Sequence, residues 1–161
     1  MPLQYRHLAD LRSHPMSTVA VESALFYRRL TQLLAAHKPL RGDRDVAAFV
    51  RAGVRPEAIE HLARAGLGRR DLASVVPPRT LTHRHRRRER LSRDESDRAV
   101  RLARIVALAE TVFGDRRAAL AWLSTPKRRF DGASPLEAAA SEAGARLVED
   151  WLWQADEGYF A

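Results

Sequence analysis

The chain has 161 residues, of which 45% are hydrophobic, and it carries a formal net charge of +8 with an isoelectric point near 11.0. This length and composition predict one folded domain or two small ones, and they argue against a disordered chain. The absence of cysteine excludes disulfides and thiolate metal sites, and no apolar run nears the roughly 18 residues of a membrane-spanning helix.

Charge is unevenly distributed along the sequence. Residues 1–50 have a net charge of +3, residues 51–104 a net charge of +8 and residues 105–161 a net charge of −3. A strongly basic segment favours an anionic partner such as nucleic acid, a membrane surface or an acidic protein. The middle third is therefore expected to bind an anion, and the acidic last third to have another role. The start of the chain is too charged for a secretory signal, so a cytoplasmic protein is expected.

Residues 1–53 are predicted to form a helical extension. Residues 1–20 lack a clear period and are expected to form a mobile or partner-dependent arm. A helix is predicted over residues 22–37, where apolar residues recur at spacings of three and four and could serve dimerisation. This apolar stripe consists of Leu25, Phe26, Leu30, Leu33 and Leu34. Asp43 is expected to cap a second helix that ends near Ala52.

Residues 54–91 are predicted to form a helix-turn-helix unit. Pro56 suits the start of one helix, and a short helix over residues 69–75 follows it. The pair Pro77-Pro78 cannot continue that helix and is expected to form the turn before a basic helix that begins near Arg79. The side chains expected to point inward are Ala58, Ile59, Leu62 and Ala63, then Leu72, Ala73 and Val76, with Leu81 as the anchor of the basic helix. A basic helix after a tight turn is typical of proteins that read the major groove of DNA.

The stretch from Pro78 to Arg90 has six arginines and two histidines among its thirteen residues. So many like charges are expected to face a polyanion or, in a plainer alternative, to form a solvated helix face or a loose linker. The residues predicted to contact DNA are Arg79, Thr80, Thr82, His83, Arg84, Arg86, Arg87 and Arg88. Arg79 and Arg84 are expected to read bases, because a guanidinium fork matches two acceptors on guanine, and most of the other arginines to contact phosphates.

The last third of the chain is predicted to form a second helical unit. Ser92 and Glu95 can form a capping box that opens a long helix ending at Phe113. Asp115 is expected to cap a further helix over residues 116–123, which a proline stops.

A second capping box, Ser134 with Glu137, opens the last predicted helix, which runs to Gly158. Its predicted apolar face consists of Ala143, Leu147, Val148, Trp151, Leu152 and Ala155. The sequence has no alternating strand pattern and no internal repeat. The predicted fold is therefore all-α, with a helix-turn-helix N-terminal half followed by a small helical C-terminal domain.

Several short motifs occur in a fixed order in the last third. They are Val112-Phe113-Gly114-Asp115, Ala121-Trp122-Leu123, Thr125-Pro126, Gly132 with Pro135, and Glu142-Ala143-Gly144-Ala145, followed by Val148, Leu152 and Gly158. This order resembles the C-terminal domain of the Xre/MbcA/ParS-type antitoxins, and the preceding helices resemble their Xre-like helix-turn-helix. The resemblance covers roughly residues 54–161, with the helix-turn-helix over 54–91 and the toxin-binding domain over 92–161.

The resemblance implies an antitoxin of a type II toxin–antitoxin system. Its partner would be a RES-domain toxin, from a family that attacks NAD⁺, and the C-terminal region would cover the toxin's active site. The helix-turn-helix would repress the shared operon by binding operator DNA, commonly as a homodimer. Toxin contact would fall on Asp150, Trp151, Trp153, Gln154, Glu157, Gly158, Tyr159 and Phe160. Acidic residues there suit an electropositive pocket, and large aromatics are common interface anchors.

Other interpretations compete with this one. His83 and His85 could suggest a nuclease or a metal site, but residues two apart on a helix do not face each other, and no carboxylate cluster accompanies them. No catalytic residue, metal site or cofactor is therefore predicted. A DNA-binding regulator without a toxin partner explains the basic helix equally well. Trp151 also fits a core position, and Trp153 an ordinary surface position.

Overall fold

The computed structural model describes residues 16–156, with side chains for residues 22–155. Within this range the chain is helical and forms no strand, which confirms the all-α prediction. The helices are α1 (Met16–Leu33), α2 (Asp43–Ala52), α3 (Glu57–Arg64), α4 (Arg69–Val75), α5 (Pro78–Arg87), α6 (Arg93–Phe113), α7 (Arg116–Ser124), α8 (Pro135–Ala138) and α9 (Glu142–Asp156), with a 3₁₀ turn at Arg128–Phe130. None of these described helices combines the length and the apolar character needed to cross a membrane.

The long helix α6 is the element on which most of the others pack. Its capping box is confirmed, because Ser92 Oγ accepts the Glu95 amide at 3.2 Å and Glu95 Oε2 accepts the Ser92 amide at 2.7 Å. Gly114 ends the helix in the left-handed conformation, with φ of +70°. Every residue from Ile105 to Glu110 is buried, since α6 contacts α1, α2, α3, α4, α7 and α9. One core therefore joins both halves of the chain.

The apolar stripe of α1 is covered by the chain itself. Leu30, Leu33 and Leu34 are at most 2% exposed, and α1 lies against α6 and α3. These three leucines therefore need no second copy to cover them, and Leu25 and Phe26 are already half-buried. The stripe thus gives little support to the interpretation that it serves dimerisation. The helix begins at Met16, earlier than predicted, and the rest of the predicted arm lies outside the described residues.

Some local predictions in the N-terminal half are wrong. Asp43 is the first residue of α2 and not its cap, and Asp45 Oδ2 accepts the backbone amide of Arg41 at 2.9 Å just before the helix. Ala63 and Ala73 were expected to point inward but are exposed. Both lie at the edge of the apolar face of a short helix, where the burial of a single methyl group gains little free energy.

A buried carboxylate ties α1, α6 and α7 together. Glu110 is 4% exposed, and it accepts a short hydrogen bond from Arg116 Nε and a second one from Nη2 at 3.3 Å. Its Oε2 also lies 3.9 Å from Arg29 Nε. A buried charge is tolerated when it is paired and hydrogen-bonded in this way. With the predicted cap Asp115, which accepts the Ala118 amide at 2.8 Å, this pair sets the direction of α7.

The prediction of one continuous last helix is wrong, because the chain forms α8 and α9 with a turn at residues 139–141. The capping box that opens α8 is confirmed, since Ser134 Oγ accepts the Glu137 amide at 3.2 Å. The break requires a glycine at position 144. A Cβ atom on Gly144 would clash with the carbonyl group of Ala138, so only a residue without a side chain lets α9 start this close to α8.

Candidate nucleic-acid and protein interfaces

The helix-turn-helix formed by α4 and α5 follows from its local sequence. Gly68 precedes α4 in extended backbone, and Asp71 Oδ2 accepts its amide at 3.1 Å. Val76 leaves the helix with φ of −146° and ψ of 129°. Pro77 follows, and Pro78 occupies the first position of α5, where a proline needs no amide partner. The predicted turn is confirmed, and the basic helix begins within one residue of the predicted start.

Apolar contacts hold α5 only weakly. None of the ten residues of α5 is fully buried, and Leu81, half-buried against the core, is its apolar anchor as predicted. The exposed residues of α5 and its C-cap that were predicted to contact DNA are Arg79, Thr82, His83, Arg86, Arg87 and Arg88, with Thr80 half-buried beside them. The predicted DNA-contacting residues are thus at least partly accessible to a ligand, and Arg84 differs from the others in its contacts within the protein.

Arg84 turns inward, so the prediction that it faces outward is wrong. Its side chain is 20% exposed, and its Nε lies 2.8 Å from Glu95 Oε2 at the start of α6. Its Nη2 donates to Glu95 Oε1 at 3.2 Å, and its Nη1 donates to the carbonyl oxygen of Arg90 at 3.2 Å. The sequence pattern missed this pair because the partners are 11 residues apart, well beyond the spacing at which residues of one helix meet.

The pKa of the Glu95 carboxyl lies below its ordinary value of 4.5. Burial raises the pKa, but the hydrogen bond from the Ser92 amide and the guanidinium of Arg84 outweigh the burial. A depressed pKa contributes stability that is complete above pH 4.5 and is lost as the pH falls through the folded-state pKa.

We therefore expect Glu95→Gln, which keeps the helix cap, to lower the melting temperature at neutral pH. Because the variant lacks this titrating group, its melting temperature should fall less than that of the wild type between about pH 5 and pH 3. Thermal unfolding of both proteins across this range measures the effect. Parallel curves would contradict the role assigned to the carboxylate.

Three arginines of α6 pair with polar groups of other helices. Arg98 Nε donates to the last carbonyl group of α4 at 3.0 Å, and Arg101 Nε donates to Glu142 Oε2 at 3.1 Å. Arg104 Nη2 lies 2.9 Å from Glu149 Oε1. These charges hold α4 and α9 in place, so the net charge of the middle third overstates the surface that is free to attract an anion.

The outer side of α9 exposes two large apolar residues. Leu147 is 60% exposed and Trp153 is 50% exposed, the highest exposures of large apolar side chains in the described chain. Asp150 and Gln154 are exposed as well. Residues three, four and seven apart share one side of a helix, so these four residues form one patch, which we call the α9 face.

The predicted apolar face of α9 is wrong at two of its six positions. Leu147 and Ala143 were predicted to lie on the buried side, but both are exposed, and Ala145, Val148 and Leu152 are buried at spacings of three and four. Leu147 was missed as a surface residue because it directly precedes Val148, and an amphipathic pattern does not separate two adjacent apolar residues at the edge of a face.

Trp151 belongs to an aromatic stack at the edge of the core. Its ring lies 4.6 Å from that of Trp122 with an angle of 17° between the planes, and Trp122 lies 5.7 Å from Phe113. Arg129 Cζ lies 4.7 Å from the Trp151 ring, and Lys127 Nζ lies 5.0 Å from the Trp122 ring. Stacking and cation–π contacts inside the chain favour the core interpretation of Trp151.

The residues predicted to bind a toxin thus fall into three groups. Asp150, Trp153 and Gln154 lie together on the α9 face, whereas Trp151 is half-buried beside it. The remaining four, Glu157, Gly158, Tyr159 and Phe160, lie outside the described residues. Leu147, which was not among the predicted toxin contacts, lies on the α9 face as a second large exposed apolar side chain beside Trp153.

Two family models match the chain in adjoining segments. The antitoxin Xre-like helix-turn-helix domain matches residues 45–104, which include α4 and α5. The antitoxin Xre/MbcA/ParS C-terminal toxin-binding domain matches residues 108–158, which include the α9 face. Both matched segments extend into α6. The predicted boundary between residues 91 and 92 stays a prediction.

Two curated proteins are similar to part of the chain. The protein named Antitoxin Xre of Pseudomonas putida is 46% identical over 85 residues, which cover 53% of this chain and 54% of that protein. The protein named Antitoxin Xre of Yersinia enterocolitica is 33% identical over 90 residues, which cover 55% of this chain and 61% of that protein. The matched region thus spans between about half and three fifths of each relative's length.

Proposed function

As the chain belongs to the Xre/MbcA/ParS-type antitoxins, we propose that it neutralises a toxin with its C-terminal domain and represses its own operon with α5. One observation carries the proposal. Two outward surfaces of different character, the basic side of α5 and the apolar α9 face, are both supported by α6. Each surface lies in the segment that matches the corresponding family domain, DNA-binding or toxin-binding.

The proposed toxin is a RES-domain protein that consumes NAD⁺, and the α9 face covers its active site together with residues 157–160. Leu147 and Trp153 supply apolar anchors, because interface energy is concentrated in a few large side chains. Asp150 adds a negative charge that suits a pocket built to hold the anionic NAD⁺. Blocking that pocket sterically requires no catalytic group on the antitoxin.

Co-expression with the protein encoded by the neighbouring gene tests this function. We expect host growth to be restored, the two proteins to copurify, and NAD⁺ consumption by the purified toxin to stop when the chain is added. A toxin that remains active with excess chain would remove the neutralising role and leave a DNA-binding regulator without a toxin partner. A neutralised toxin that does not consume NAD⁺ would keep the antitoxin and exclude the RES assignment.

For DNA binding, we propose that α5 enters the major groove of the operator and that the protein binds as a homodimer. The proposed contacts are Arg79, Thr80, Thr82, His83, Arg86, Arg87 and Arg88. Arg79 stands at the N-terminal end of α5, the end of a recognition helix that usually meets base edges. Arg86, Arg87 and Arg88 stand at its C-terminal end and are assigned to phosphates.

Replacing both Arg86 and Arg88 with alanine should weaken binding of duplex DNA from the region upstream of the gene. The slope of log affinity against log salt concentration should fall by about 2, because each phosphate contact contributes roughly 0.9. Fluorescence anisotropy at several salt concentrations measures the slope. Arg117→Ala, which removes an exposed arginine of α7, is the control and should leave it unchanged. An unaltered slope in the double variant would mean that these arginines do not contact DNA.

A further inference from the structure

Arg84 is the side chain through which α5 is joined to α6. All three guanidinium nitrogens face protein acceptors: Nε and Nη2 face the Glu95 carboxylate at 2.8 and 3.2 Å, and Nη1 faces the Arg90 carbonyl oxygen at 3.2 Å and Glu89 Oε2 at 3.7 Å. The contact of Nη2 is a hydrogen bond, and that of Nε is a close ion-pair contact. Because the two contacts meet the two oxygens of one carboxylate, they restrict rotation as well as distance. The guanidinium therefore fixes the orientation of α5 more than a single charge would.

The carboxylate that receives Arg84 is itself held in place. Glu95 is 9% exposed in its side chain, and its Oε2 also accepts the Ser92 amide in the capping box of α6. The connection between α5 and α6 is anchored nearby, because the Leu91 amide donates to the Val54 carbonyl oxygen at 2.8 Å. Arg84 thus connects α5 to a rigid part of the fold.

We propose that Arg84 is a positioning residue for DNA recognition, which sets the angle of α5 through Glu95 and does not itself contact DNA. The inference rests on the proposed DNA-binding function. The proposal is supported by the weak apolar packing of α5, whose apolar anchor Leu81 is only half-buried. A polar contact is therefore needed to fix the position of the helix. An arginine whose charge is already balanced by a protein carboxylate releases no counterion from DNA and adds nothing to the salt dependence.

The experiment uses the full chain with Arg84→Ala, Glu95→Gln, or both. Each protein is titrated with duplex DNA from upstream of its own gene at several salt concentrations, and amide hydrogen exchange of α5 and α9 is followed without DNA. We expect each variant to bind about tenfold more weakly with the wild-type salt slope, and the double variant to bind no more weakly than either single variant. The amides of α5, but not those of α9, should exchange faster.

Arg116→Ala is the matched control for lost stability. It breaks an ion pair at the other end of α6, so it should lower the melting temperature while DNA affinity and α5 exchange stay as in the wild type. A weakened affinity in Arg84→Ala but not in Arg116→Ala separates positioning from a general loss of stability.

Several results would overturn the proposal. A salt slope that falls in Arg84→Ala by about 0.9, the contribution of one phosphate contact, would identify a direct contact with DNA. Unchanged affinity, additive losses in the double variant, or unchanged exchange of α5 would also do so. If the wild-type chain binds no duplex, the proposed DNA-binding function fails. The exchange measurement then decides by itself whether Arg84 holds α5.

Discussion

Replacing Leu147 and Trp153 together with alanine should weaken toxin binding roughly 1,000-fold, because anchor residues of an interface are typically worth about 2 kcal/mol each and about 1.4 kcal/mol corresponds to a tenfold change in affinity. Both side chains are at least half exposed in the free protein. Their removal therefore opens no cavity, and the free energy of unfolding should change by no more than about 0.5 kcal/mol per site. The double substitution is therefore expected to weaken the complex with the toxin without destabilising the antitoxin itself.

Isothermal titration of the purified toxin with each antitoxin variant measures this loss, and growth rescue on co-expression gives the corresponding result in cells. Gln32→Ala, an exposed substitution on α1, is the control that should bind as the wild type does. Equal affinity of the double variant and the wild type would show that the α9 face is not the contact surface. The toxin-binding role would then pass to residues 157–160.

Leu152→Ala should lower the free energy of unfolding by about 3 kcal/mol, through lost burial and the cavity that the substitution leaves. Leu152 is fully buried, with 0% of its surface exposed. Leu147→Ala offers a matched comparison, since the residue type and the helix are the same and the exposure is 60%. That variant should lose less than about 0.5 kcal/mol.

Urea unfolding at equilibrium compares the two alanine variants directly. Both should unfold with the same dependence on urea as the wild type, because neither substitution changes the surface exposed on unfolding by much. Similar losses in the two variants would contradict the packing of α9 described above. Leu152→Ala should weaken toxin neutralisation only by increasing the unfolded fraction, so cooling should restore neutralisation. The loss in the Leu147 and Trp153 double variant should persist on cooling.

The sequence predicted the parts of the fold that depend on neighbouring residues. The capping boxes at Ser92 and Ser134 and the cap at Asp115 were identified correctly because a side chain and an amide three residues apart suffice to form them. The break between α8 and α9 was missed because Gly144 carries no local stop signal. Its importance comes from the approach of the Ala138 carbonyl, which only the folded chain reveals.

For the candidate interfaces, the sequence predicted the kind of surface but not the orientation of individual side chains. A run of arginines after a tight turn indicated a basic surface, and most of its side chains are accessible. The inward turn of Arg84 was not predictable, since it depends on a buried carboxylate at the start of another helix. The exposure of Leu147 depends on which side of α9 packs on α6, and a sequence pattern leaves such adjacent apolar residues undecided.

Because α6 supports both the basic helix α5 and the α9 face, it limits how DNA or toxin specificity can be exchanged between related antitoxins. A chimaera joined at residues 91 and 92 would combine α1 to α5 from one parent with a foreign α6, on which α1 to α4 have to pack. Mismatched apolar contacts there would destabilise the hybrid. Grafting only the outward residues of α5, or only those of the α9 face, onto an otherwise intact host leaves this packing untouched. Recombination between such genes should therefore preserve α6 with its N-terminal partners, while the exposed positions diverge.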